Sequence, residues 1–94
     1  MTAYTVRVEL LGNPSWDDYD ALHAVLAEAG FSREITSDKG VTYALPHAEY
    51  AYAGDDTRAE VLEKARKATA RVWTEFRILV TQSAGRTWHN LERA

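Results

Sequence analysis

The sequence predicts a single α+β domain of ferredoxin-like type over residues 1–94, with element order βαββαβ. Three observations carry this expectation. Apolar residues alternate with polar ones near the start (Tyr4, Val6, Val8, Leu10) and near the end (Phe76, Ile78, Val80), the period of a strand with one buried face. Two amphipathic stretches of helical spacing lie between, each opened by a capping residue. The two halves repeat one plan of strand, helix and strand. Right-handed crossovers then leave few arrangements besides a four-stranded antiparallel sheet, with both helices on one face and the other face open.

Taken in order, Gly12, Asn13 and Pro14 end the first strand. Ser15 is the expected N-cap of the first helix, with Asp17 and Asp18 in the first turn, where the helix dipole favours carboxylates. Tyr19, Leu22, Leu26 and Ala29 form its apolar stripe, Gly30 supplies a left-handed ending, and Phe31 can fold back on Leu26. Residues 33–37 and 41–45 flank Asp38-Lys39-Gly40, a hairpin turn with glycine where positive φ is needed. Pro46 interrupts, and strand character resumes at Glu49. Proline has no N–H to donate, so an edge position or a bulge is expected there. With the phase of residues 41–45 kept, Tyr50 and Tyr52 face the open side. With a bulge at Pro46 and His47 both join the core, which the hydrophobic pattern favours.

Thr57 and Glu60 form a capping box for the second helix, and Val61, Leu62, Ala65, Ala68, Thr69 and Val72 make its apolar face. No glycine or proline marks its end. Beyond the last clear strand, Ser83-Ala84-Gly85 turns the chain into residues 87–91, a short strand or a docked tail anchored by Trp88.

Composition narrows the chemistry. A chain of 94 residues buries roughly 60–65% of its unfolded surface, enough for one core and little for a deep cavity. Cysteine is absent, which excludes disulfides, thiolate catalysis and cysteine-ligated metal centres. No apolar run reaches the roughly 18 residues of a membrane span, and the opening residues run straight into strand alternation instead of a signal peptide. The expected compartment is the cytoplasm, with no membrane and no disulfide partner. Eleven Lys+Arg against 14 Asp+Glu give a net charge of −3, which weighs against extensive phosphate-backbone binding but not against a local basic patch.

Few residues carry chemistry. His23 reads as a boundary residue of the first helix's stripe. His47 and Glu49 make an H-x-E pair, which in zinc deaminases needs a cysteine partner that this chain lacks. No other spacing suggests a metal, and no cofactor is expected. Asp17-Asp18 and Asp55-Asp56 both precede helices, so capping accounts for them. An RNA-recognition-motif reading fails because the first strand offers only Tyr4, in phase with the buried Val6 and Val8. Arg86 follows small residues that permit close backbone approach, and with His89 it could meet a phosphate.

Three stretches taken together resemble a known family: Val8-Glu9-Leu10 leading to Ser15-Trp16-Asp17-Asp18-Tyr19; Thr42-Tyr43-Ala44-Leu45-Pro46 with Glu49-Tyr50; and Ser83-Ala84-Gly85-Arg86-Thr87-Trp88. They resemble small bacterial proteins grouped with the GhoS-type antitoxin endoribonucleases of type V toxin–antitoxin pairs. That resemblance implies a ferredoxin-like fold and either metal-independent RNA cleavage or RNA-binding antitoxin activity. The related CRISPR-associated subunits place a metal-binding aspartate at the end of the first strand. Here that region reads Glu9-Leu10-Leu11-Gly12-Asn13.

No catalytic position is carried over from the family. Metal-free cleavage needs a base, an acid and a cation beside the phosphate, and His47, Glu49, Arg86 and His89 are the nominees. Arg7, Arg77, Tyr50 and Tyr52 are the candidate RNA contacts. The alternative is a non-enzymatic module that homodimerises, because Leu11, Ala44 and Leu79 are apolar at outward positions.

Overall fold

The computed structural model describes residues 1–94 as an antiparallel α+β fold: β1 (Thr2–Leu10), α1 (Trp16–Glu28), β2 (Glu34–Thr36), β3 (Thr42–Ala44), β4 (Glu49–Gly54), α2 (Arg58–Thr69) and β5 (Phe76–Ser83). β1 is central and pairs with β4 on one side and β5 on the other. Its register sets Val6 opposite both Tyr50 and Val80. The alternation read from the sequence decides what faces inward. Tyr4, Val6, Val8 and Leu10 are buried against Leu22, Val25 and Leu26 of α1 and Val61, Ala65 and Ala68 of α2. Both helices therefore cover one face.

The helix ends follow local chemistry. Ser15 accepts from the Asp18 N–H, and the Asp18 carboxylate accepts from the Ser15 N–H, a complete capping box. Thr57 and Glu60 form the second. Gly30 has φ +97°, and the Phe31 N–H reaches back to the Leu26 carbonyl at 2.9 Å, as the sequence predicts. α2 stops at Thr69, so Val72 packs against the core from the turn beyond the helix. Leu62 departs from the expected apolar face and is exposed. Trp73 closes this end by donating its indole N–H to the Leu11 carbonyl at 2.8 Å.

The expected four-stranded sheet is instead a three-stranded sheet, β4-β1-β5, beside a two-stranded one, β2-β3. Between them the ladder is reduced to one bridge, in which Ser32 and Ala51 exchange both backbone bonds. Next to that bridge, Arg33 turns its guanidinium onto the carbonyls of Leu45, Pro46 and Glu49, and its bond to Glu49 takes an acceptor at the start of β4. Ala48 has φ +66°, and its carbonyl accepts from the Val8 N–H at 2.9 Å. This excursion flips the strand phase, and Tyr50 and Tyr52 point into the core.

The helix-free face is only partly open. After β5 the tail crosses β1, where Arg86 donates to the Thr5 hydroxyl (3.0 Å) and the Tyr4 carbonyl (2.8 Å). It then runs along the outer edge of β3, with bonds from Ala44 to Glu92 and from Ala94 to Thr42. Pairing thus falls at residues 92–94, beyond the expected 87–91. Ala3, Thr5 and Ala51 are small, so the tail can lie close to this face. No helix is long and apolar enough to cross a membrane.

Candidate functional site

The crossing tail makes a groove with the sheet. Its floor includes Thr5, the hairpin side contributes Leu45 and Pro46, and the tail contributes Trp88 and Leu91. Glu49, Arg86 and His89 line the same groove, of about 430 Å³. Each arrives by a different route. Glu49 opens β4 and pairs in register with Arg7, so its side chain lies on the helix-free face. Arg86 is held by two bonds to β1, which leaves Nη1 without a protein partner. Asn90, at φ +60°, bends the chain just after the exposed His89. A carboxylate, an imidazole and a guanidinium thus border one concavity.

His47 stands apart from these three. It packs edge-on against Tyr19 (4.4 Å between centroids) and Trp16 (5.1 Å), at the N-terminal end of α1. Trp16 itself is 75% exposed. Behind them lies a cluster that the sequence did not announce. The Nδ1 of His23 and the hydroxyl of the fully buried Tyr50 are 2.6 Å apart, and the Arg33 guanidinium lies over the Tyr50 ring at 5.6 Å. Burial first, then the Arg33 guanidinium, lowers the His23 pKa, with Asp20 opposing. Burial likewise raises the Tyr50 phenol, which keeps it protonated and able to donate. His23 is therefore a structural partner of the core.

The nominated RNA contacts divide. Arg7 is exposed on the helix-free face. Arg77 is exposed there too, in a 3.4 Å ion pair with Glu9 that solvent screens. Tyr50 and Tyr52 form no aromatic patch on that face, since the Ala48 excursion turns both toward the helices. The Tyr52 hydroxyl donates to Asp56 at 2.8 Å and accepts from Lys64 at 2.7 Å. Bonds from Lys64 and Tyr52 hold the Asp56 carboxyl below its usual range.

Sequence reasoning missed Arg33 and Trp73. A lone arginine at a strand start carries no signal that it will cap carbonyls 12 to 16 residues away. An unassigned tryptophan just past a helix was the one available hint for Trp73. No three His, Asp or Glu side chains gather as a metal ion would require. No family model matches this chain, and no curated protein matches it either.

Proposed function

We propose that this chain binds RNA in the groove under its tail and cleaves it without a metal, as the GhoS-like resemblance implies. The observation that carries the reading is that Glu49, Arg86 and His89, nominated from sequence, line one groove. In this mechanism Glu49 takes the proton of the 2′-hydroxyl as it attacks the adjacent phosphorus. His89 gives a proton to the departing 5′-oxygen. The free Nη1 of Arg86 offsets the charge that develops on the phosphate. The topology supports a ferredoxin-like arrangement: β4-β1-β5 carries both helices on one face, and the Ser32–Ala51 bridge just ahead of β2 lies beside β4.

The test is to incubate wild type, Glu49→Gln, His89→Ala and His47→Ala with structured and single-stranded RNA, with and without chelator. Cleavage should survive chelation and fall ~10²–10⁴-fold in the first two variants. His47→Ala should keep its rate, since His47 lies outside the groove. Equal cleavage by all four proteins, or none by wild type on any RNA, overturns the reading.

One observation favours a second reading, a homodimeric interaction module. The outer edge of β5 is unpaired, and Leu79 on that strand is 66% exposed.

A further inference from the structure

A larger cleft lies on the other side of Arg86, and the cleavage chemistry above leaves it unused. It measures about 570 Å³ and is bounded by the hairpin turn at Asp38 and Lys39, by Tyr43 and Trp88, and by the small residues Ala84 and Gly85. Gly85, Arg86 and Trp88 border both concavities, so Arg86 stands on the divide between this cleft and the groove holding Glu49 and His89. A polymer with its reacting phosphate at Arg86 has this cleft within reach of its next unit.

We propose that this cleft is a subsite for one unpaired nucleobase, stacked on Trp88, with the neighbouring phosphate turned toward Lys39. The inference rests on the RNA reading and extends it to a place of binding. The cleft's size lies within the range of small-molecule sites. Trp88 is half-buried and tilted 59° to Tyr43 at 5.3 Å between centroids, so Tyr43 props the indole while Trp88 still borders the cleft. A base can stack on an indole whatever its sequence.

The charges at the rim sort the two parts of a nucleotide. Lys39 is exposed and makes none of the chain's ion pairs. Asp38 beside it can only accept, which suits the amino and imino N–H groups of a base edge and repels a phosphate. Ala84 and Gly85 leave room for the sugar. A base stacked inside a duplex cannot reach Trp88 without first being unpaired, at a cost that should disfavour double strands.

The experiment uses a single-stranded 2′-fluoro RNA of mixed sequence and about eight nucleotides, which lacks the attacking hydroxyl and cannot be cleaved. Its affinity is measured by fluorescence anisotropy for wild type, Trp88→Leu and Lys39→Ala, and again after annealing to its complement. Trp88→Leu should weaken binding about ten- to hundredfold. Lys39→Ala should weaken it several-fold and make its salt dependence shallower, and the duplex should bind less tightly than the single strand. Lys39 is an exposed turn residue, so its variant keeps the test valid even if Trp88→Leu loosens the tail. Unchanged affinity in Lys39→Ala, or a duplex bound as tightly as the single strand, overturns the subsite while RNA binding stands. Absence of binding by wild type overturns the RNA reading with it.

Discussion

Arg33→Ala is the most informative single substitution. The guanidinium bonds three backbone carbonyls, those of Leu45, Pro46 and Glu49, and lies over the Tyr50 ring. Hydrogen bonds with a charged donor contribute about 1.5–3 kcal/mol each, but three carbonyls next to a half-buried side chain recover part of that from water. We expect a net loss of about 2–4 kcal/mol, below the simple sum because the bonds share one donor group. At about 4–8 °C per kcal/mol for a domain of this size, the melting temperature should fall by roughly 8–32 °C. Arg33→Lys should rescue little, since one ammonium cannot serve acceptors spread over a planar fork. The assay is thermal unfolding by circular dichroism, with amide exchange at Val8, whose N–H bonds to the Ala48 carbonyl, as the local report. A fall of less than about 3 °C, with Val8 still protected, would refute a stabilising role for these three bonds.

Three further outcomes are expected. The His23 pKa lies below its ordinary 6.5, so the folded chain takes up that proton less readily than the unfolded one; its contribution is complete above pH 6.5 and is lost as pH falls from there toward the folded pKa. The urea midpoint should therefore drop more between about pH 7.5 and pH 5.5 for wild type than for His23→Gln, and equal drops would count against the burial argument. Trp88→Ala removes a half-buried indole from Tyr43 and should cost about 1–2 kcal/mol, or roughly 4–16 °C in melting temperature; no change would mean that Arg86 and the Glu92–Ala94 pairing hold the tail alone. If the free edge of β5 joins two copies, light scattering should give twice 10.6 kDa for wild type and a single chain's mass for Leu79→Lys. A wild type that stays at 10.6 kDa at high micromolar concentration removes the dimer reading.

Where the sequence was legible, the cause is local. Ser15 with Asp18, and Thr57 with Glu60, satisfy helix N–H groups three residues away, so both helix starts could be read without knowing the fold. The odd-even pattern from Tyr4 to Leu10 needs only a strand with one dry face, and that face is buried as expected. The end of α2 was not legible, because no glycine or proline marks it and the turn beyond it is set by Trp73 reaching Leu11 across the molecule.

By itself, the sequence determined the α+β class, the inward residues of β1 and the caps of both helices, but its order βαββαβ becomes βαβββαβ because the expected third strand breaks after Ala44 into β3 and β4. The tertiary structure alone decided which distant residues meet. Arg33 bonds across 12 to 16 residues, Arg86 across 81 and 82, and the tail across about 50 to join β3. Such pairings depend on three-dimensional closure and leave no periodicity or spacing in the chain. That is why Glu49 and His89 share a groove, why His47 does not, and why one left-handed alanine sends two tyrosines into the core.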